Sequence, residues 1–236
     1  MDFNNKVALI TGATRGIGEA TAGIIINGGG TVIATGRNDK ALAALKQRYG
    51  DKIFTYKCDV SDEAAVNAMV ADATEKTGGI DILINNAGIF MEDIAPFVEQ
   101  MSDMWRKKID INIYGTLYTT HAVLPQMIAR RAGRIVNVAS VAGIYGIRNM
   151  LDYSLTKGAI ITFTTGLARE LGEYNITVNA VSPGNISTYN EVPELSYMNR
   201  SGTPEECAKV IAFLASDDAS WVSGSNYVVD GSRKKI

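Results

Sequence analysis

The stretch "LDYSLTKGAI", residues 151–160, sets Tyr153 and Lys157 four places apart in a segment of helical period. Four residues make slightly more than one helical turn, so both side chains leave the same face and can enter one cleft. A phenol with an ordinary pKa of about 10 is a poor acid–base catalyst near neutrality. A neighbouring ammonium favours the phenolate, and a fall of roughly two or three pH units would bring it into the range where proton transfer is efficient. The same lysine could hold a ribose hydroxyl. Taken alone, this spacing also occurs in amphipathic helices that catalyse nothing. Two further residues add weight. Ser140 closes the apolar run "RIVNVAS" and could donate to a carbonyl or alkoxide oxygen. Asn112 in "DINIYG", on an expected central helix, could anchor a water for proton relay. Each also has an ordinary alternative, the satisfaction of nearby backbone.

A second constellation is "TGATRGIGEA", where Gly12, Gly16 and Gly18 stand at an expected turn from strand to helix. Cβ atoms there would obstruct a pyrophosphate, and the free amides of a new helix favour an anion. The spacing G-x-x-x-G-x-G differs from the commoner dinucleotide pattern and lacks the GK[ST] of an ATP-binding P-loop. A tight turn that binds nothing would read the same way. Where the second strand ends, "TGRND" offers Arg37 in place of the acidic residue that often meets an NAD ribose. A guanidinium suits a 2'-phosphate, and Arg15 could add a second positive charge, so the balance favours NADP over NAD. An exposed arginine beside the helix cap Asn38 is the ordinary alternative.

These residues need a scaffold, and the hydrophobic pattern supplies one. Apolar runs recur at 6–11, 31–35, 52–57, 81–85, 134–140, 176–182 and 226–231, mostly continuous rather than alternating, as strands buried on both faces of a parallel sheet read. Helical periods at 62–77, 100–131, 153–174 and 204–215 alternate with them. The expected fold is α/β, a single-domain doubly wound parallel sheet of about seven strands with helices on both faces, Rossmann-like, over residues 1–236.

Composition narrows the class. With 46% hydrophobic and 20% charged residues and a net charge of −2, the chain reads as globular and offers no broad basic surface for nucleic acid. Cys58 and Cys207 lie far apart without CxxC spacing, which argues against a zinc site and fits two small core residues. The N-terminal "MDFNNKVALITGA" shows no basic leader before an apolar run, and no segment reaches membrane-spanning length, so a cytoplasmic protein with no membrane partner is expected. His121 has no ligand neighbours at metal spacing and reads as a surface or interface histidine. Trp105 and Trp221 read as core or interface residues, and "NGGG" at 27–30 ends the first helix.

The order TGATRGIG, NNAG (85–88), Asn112, Ser140, Tyr153-x-x-x-Lys157 and Pro183-Gly184 resembles the short-chain dehydrogenase/reductase family along essentially the whole chain. The resemblance implies that Tyr153 protonates the carbonyl oxygen while NADPH delivers hydride, with Ser140 orienting the substrate. It further implies that Lys157 binds the nicotinamide ribose, lowers the Tyr153 pKa and joins Asn112 through water to restore the proton. It assigns Gly12, Thr14, Arg15, Gly16, Ile17 and Gly18 to the cofactor turn, and Arg37, Asp59 and Val60 to the adenosine end. By the same carry-over, Asn86, Ala87 and Gly88 pass beside the adenosine ribose, and Pro183, Gly184, Ile186 and Thr188 meet the nicotinamide side.

Among relatives the chain looks most like 3-oxoacyl-(acyl carrier protein) reductases, through "VALITGATRGIG", "GRIVNVASVAG", "YSLTKGAI" and "VIAFLASDDASWVSG". Arg130 and Arg131 match the basic patch that such reductases present to the carrier protein, but Glu173 and Tyr174 occupy its second position. Residues 185–203 read as a shortened substrate lid. Candidate walls of the substrate pocket are Phe90, Met91, Ile144, Tyr145, Met150, Tyr189 and Met198. The family also implies a homotetramer through the helices near 100–131 and 153–174 and the last strand. Hydroxysteroid and polyol dehydrogenases of the family stay open, as does, in a different class, a non-catalytic NADP-sensing regulator, against which Asn112, Ser140, Tyr153 and Lys157 speak.

Overall fold

Each apolar run forms a strand in the computed structural model, which describes residues 1–90, 94–187 and 191–234. In chain order these are β1 (Val7–Thr11), β2 (Thr31–Gly36), β3 (Ile53–Lys57), β4 (Ile82–Asn85), β5 (Gly133–Val138), β6 (Ile176–Pro183) and β7 (Asn226–Val229). They make one parallel sheet in the order β3-β2-β1-β4-β5-β6-β7 among the described residues. The continuous apolar pattern follows from burial on both faces. In β1, Ala8 and Ile10 join one core and Leu9, pointing the other way, joins the second.

The helices are α1 (Gly16–Asn27), α2 (Asp39–Tyr49), α3 (Glu63–Thr77), α4 (Ser102–Ile109), α5 (Gly115–Arg130), α6 (Ala142–Tyr145), α7 (Leu151–Leu171) and α8 (Pro204–Ala215). Their ends carry local signals. The Asn38 side chain accepts from Ala41 N at 3.1 Å to start α2, and Asp62 accepts from Ala65 N at 3.0 Å to start α3. Thr203 and Glu206 form a reciprocal capping box before α8. Helices α1, α2 and α8 supply Ala22, Ile25, Leu45, Cys207 and Ile211 to one core. On the opposite face α3, α5 and α7 contribute Val66, Met69, Val123, Met127 and Leu167 to the other.

The strand order reverses between β1 and β4, so their following connections leave in opposite directions and open a crevice at the C-terminal edge of the sheet. The expected continuous helix over 100–131 is not formed. Between α4 and α5 lies a π-helical turn, Asp110–Tyr114, in which Gly115 N bonds Asp110 O. One added residue per turn pushes Asn112 outward, where its side chain takes a backbone partner outside the helix. Thr116 Oγ1 donates to Asn112 O at 3.0 Å and stabilises the bulge.

The two cysteines are free and buried, and His121 is exposed, as their sequence contexts imply. Trp221 departs from the core reading: it is 99% exposed, because it follows α8 on a short turn leading to the edge strand β7. No helix among the described residues is long and apolar enough to cross a membrane.

Candidate active site

A cavity of about 540 Å³ runs along the crevice. At one end β1 passes into α1 through the glycine turn. Gly12 takes φ +64° and Gly16 φ +57°, the left-handed region that favours glycine. A Cβ on Gly12 would lie 2.9 Å from Ala87 Cα, and one on Gly18 would lie 2.4 Å from Gly12 O and 2.5 Å from Asn86 Nδ2. The turn therefore closes only with glycine at these places. Thr14, Arg15, Gly16 and Ile17 line the cavity with Gly12, whereas Gly18 is buried beneath the turn and serves its packing rather than facing the cavity.

Thr11, unremarked in the sequence, ties this turn to the segment after β4. Its hydroxyl accepts from Asn86 N and Ala87 N, each at 3.0 Å, and Asn86 Nδ2 donates to Thr11 O and Gly12 O, each at 2.9 Å. Asn86, Ala87 and Gly88 are thereby fixed along the cavity wall. Arg37, Asp59 and Val60 line the same end, and Arg37 Nη1 lies 3.7 Å from Asp59 Oδ2. Partial burial opposes ionisation of Asp59, but the Ser61 amide and hydroxyl, at 3.1 and 2.7 Å, together with Arg37 hold its carboxyl below the usual range. A bare-glycine cradle at a helix N-terminus, with two arginines beside it, fits the phosphates of a dinucleotide.

At the other end the four expected catalytic residues come together. Tyr153 and Lys157 stand on one face of α7. Ser140, two residues beyond β5, hydrogen-bonds the Tyr153 side chain, and its Oγ accepts from Ala142 N at 3.1 Å. Lys157 Nζ donates to Val138 O at 2.8 Å and lies 5.8 Å from the centroid of the Tyr153 ring. Asn112 Oδ1 accepts from Ile89 N at 2.9 Å, and its Nδ2 donates to Ile89 O at 3.0 Å and Thr156 Oγ1 at 3.1 Å. Asn112 and Lys157 converge on Gly88, where a Cβ would lie 3.2 Å from Asn112 Oδ1 and 3.4 Å from Lys157 Nζ.

Desolvation governs the titration of this pair. Burial pushes the Tyr153 phenol up to about 12, against the opposing hydrogen bond from Ser140. Burial also brings the Lys157 ammonium down to about 8. The expected lowering of Tyr153 by Lys157 is absent from this arrangement. Nζ is turned to the Val138 carbonyl beside the ring, so its charge does not outweigh desolvation of the phenol. Near neutrality Tyr153 holds its proton and Lys157 its charge.

Asn85, the first residue of NNAG, and residues that the motif reading passed over hold this floor in place. Asn85 Nδ2 donates to Thr120 Oγ1 and Asn137 Oδ1, each at 2.9 Å, Thr119 Oγ1 donates to Asn85 Oδ1 at 2.6 Å, and Asn137 Nδ2 donates to Thr164 Oγ1 at 2.9 Å. This buried ladder joins β4, β5, α5 and α7. Its signal in the sequence is an asparagine at the end of one apolar run, "DILIN", and inside another, "RIVNV".

Pro183, Gly184 and Ile186 line the cavity after β6, and Thr188 lies outside the described residues. Of the expected walls, Phe90 and Met150 line it, the Phe90 ring lying 5.9 Å from that of Tyr153. Met91 and Tyr189 lie outside the described residues. Ile144, Tyr145 and Met198 are exposed and do not line it. Gly143 packs so closely on α7 that a Cβ would lie 2.5 Å from Gly158 N, which leaves the next two side chains of α6 on the outer side. Ile94, Ile147, Val192, Leu195 and Arg233 complete the wall instead.

Comparison with known proteins agrees with this geometry. The family model described as Enoyl-(Acyl carrier protein) reductase matches residues 12–232. A 3-oxoacyl-[acyl-carrier-protein] reductase of Thermotoga maritima is 40% identical over 98% of this chain and 98% of its own. A cyclohexanol dehydrogenase of an Acinetobacter species is 38% identical over 97% and 95%. Among solved structures, a 3-oxoacyl-[acyl-carrier protein] reductase from Brucella melitensis with bound NAD superposes with TM-score 0.92 at 37% identity, covering 99% of this chain and 92% of that one. ElxO with bound NADP superposes with TM-score 0.91 at 32% identity, covering 96% and 97%. With the family model spanning nearly its whole length and relatives of this identity aligned end to end, the chain is an oxidoreductase that belongs to the short-chain dehydrogenase/reductase family.

Proposed function

We propose that the protein interconverts a ketone and its secondary alcohol with NADP(H), using Tyr153 as the acid or base. The observation that carries this reading is the meeting of Ser140, Tyr153 and Lys157, with Asn112 buried behind Gly88, at the end of a cavity whose far end is the glycine cradle. Bound nicotinamide supplies or takes up the hydride. In reduction the Tyr153 hydroxyl, kept protonated by desolvation, gives its proton to the carbonyl oxygen while Ser140 donates a hydrogen bond to the same oxygen. Lys157 would hold the nicotinamide ribose, and Asn112 would anchor the water through which the proton is restored.

Arg15 and Arg37 would bind the 2'-phosphate, which favours NADP over NAD. Asp59 and Val60 would meet adenine, Asn86 to Gly88 the adenosine ribose, and Pro183, Gly184, Ile186 and Thr188 the nicotinamide side. Residues 185–203 would form a short lid, since Asn185, Val192 and Ser201 already bond one another there. A 3-oxoacyl substrate is supported by the similarity to reductases of that name. Delivery on a carrier protein is the weaker version, because the Arg130 and Arg131 side chains are engaged within the chain, Arg130 Nη2 donating to Ile80 O at 2.6 Å and Arg131 to the Glu173 carbonyl. A homotetramer fits the exposed Leu151, Leu155 and Trp221, and sedimentation of the purified protein would check it.

The test of the central reading is NADPH consumption across a panel of ketones by wild type and Tyr153→Phe. Loss of turnover with retained NADPH binding is expected. Undiminished turnover in the variant would refute the proton assignment.

A further inference from the structure

The C-terminal tail reaches the substrate end of the cavity and is sewn to the turn at 193–198. Ser196 and Arg233 pair as an isolated antiparallel bridge, Lys234 N donates to Leu195 O at 2.9 Å, and Tyr197 N donates to Ser232 O at 3.1 Å. Ser196 Oγ donates to Gly231 O at 2.6 Å, and the Lys234 ammonium lies 5.4 Å from the Tyr197 ring centroid. Gly231 takes φ +59°, and a Cβ on it would come within 2.8 Å of Ser196 Oγ. These backbone bonds fix where residue 233 emerges.

Arg233 emerges half-buried in the cavity wall, with Val192 and Leu195, and its guanidinium makes no hydrogen bond or ion pair among the described residues. Charge along the wall is uneven. The one acidic side chain among the described lining residues is Asp59, which lies beside Arg37 at the adenosine end. The substrate end holds Lys157, bonded to the Val138 carbonyl, and Arg233. A planar guanidinium with five donors, set in an apolar wall and facing no acid there, is matched by a carboxylate. A doubly charged phosphate would call for more than one such cation.

We propose that Arg233 is a specificity residue that binds a carboxylate on the substrate, so that the preferred substrates are keto acids or the corresponding hydroxy acids. The inference rests on the ketone-reductase reading. Apolar residues that line the same cavity, among them Met150, Ile147 and Leu195, would cover the hydrocarbon between the reacting carbonyl and the acid group.

The test compares matched acid and ester probes, levulinate with methyl levulinate and acetoacetate with methyl acetoacetate, in the full-length protein with NADPH. Wild type should favour the acid over its ester by about 10- to 100-fold in kcat/KM. In Arg233→Gln that ratio should collapse toward one through a raised KM for the acid, and Arg233→Lys should retain part of it. Equal use of acid and ester by wild type, an unchanged ratio in Arg233→Gln, or a rise in the KM for NADPH that matches the loss on the acid would overturn the proposal. Calorimetric binding of levulinate and its methyl ester to the NADPH-loaded protein gives a readout independent of turnover. Levulinate binding that Arg233→Gln abolishes supports the carboxylate site even if no ketone is reduced, an outcome that counts against the reductase reading alone. Equal or absent binding of acid and ester, without turnover, counts against the carboxylate site.

Discussion

Lys108 and Asp152 form an ion pair whose side chains are only 3% and 1% exposed. The pair joins the last turn of α4, four residues before Asn112, to the first turn of α7, one residue before Tyr153. Asp152 Oδ1 also accepts from Tyr153 N at 2.7 Å. The two elements that carry the proton relay are thus registered against each other by one buried contact.

Removing either partner strands a buried charge, which costs about 3–5 kcal/mol where the pair is sealed from water. Lys108→Met or Asp152→Asn should therefore lower the denaturant midpoint markedly and reduce kcat. Lys108→Met with Asp152→Leu should recover most of the stability, since an apolar pair leaves no charge unmatched. Urea unfolding of the three variants checks this, and equal loss in the single and double variants would count against it.

Burial shifts Tyr153 upward and Lys157 downward, and this sets the pH dependence. With Lys157 at about 8 and Tyr153 at about 12, reduction should fall as pH rises through about 8 while the phenol is still protonated. Oxidation, in which Tyr153 must accept the proton as phenolate, should not rise over the same interval, because the phenol stays protonated there while Lys157 loses its charge. Initial rates in both directions between neutral and alkaline pH measure this. A reduction rate that stays flat through that interval would separate Lys157 from the proton chemistry.

The same lysine carries a stability cost. Its folded value of about 8 lies below the ordinary 10.5, so the unfolded chain binds more protons between those limits. The penalty is present in full below pH 8, shrinks as pH rises and is gone above 10.5. Lys157→Met should consequently stabilise the protein near neutrality, on the order of 1–3 kcal/mol after loss of the bond to Val138, while abolishing activity. Thermal or urea unfolding at neutral and alkaline pH should show the two proteins converging as the solution becomes basic.

Gly18→Ala places a methyl 2.4 Å from Gly12 O and 2.5 Å from Asn86 Nδ2, both held by other bonds. The turn must open, at a cost of about 1–3 kcal/mol. NADPH affinity measured by fluorescence titration should fall at least tenfold, on the order of 1.4 kcal/mol. Unchanged affinity would show that the cradle tolerates displacement.

Arg37→Asp reverses the charge at the adenosine end beside Asp59. Preference for NADPH over NADH should drop by roughly 10- to 100-fold, the worth of a charge-assisted hydrogen bond. The ratio of kcat/KM for the two cofactors is the measurement, and a ratio equal to that of wild type would remove Arg37 from the 2'-phosphate site.

Much of this architecture is written locally. A continuous apolar run such as "VALIT" can be satisfied only by burial on both faces, and a turn that needs Gly12 and Gly18 announces itself in any context. Tyr153 and Lys157 share a face by helical period alone, and the caps Asn38, Asp62 and Thr203 act within three residues of themselves. Folding in space decided what period and spacing do not encode. The π-helical turn at Asn112 depends on bonds to Ile89 across the crevice, Lys108 meets Asp152 only when α4 packs on α7, and Arg233 reaches the cavity only through the bridge to Ser196. Each of those contacts joins residues more than twenty apart in the chain, so it is selected by how the sheet and helices close on one another and leaves no periodic trace in the sequence.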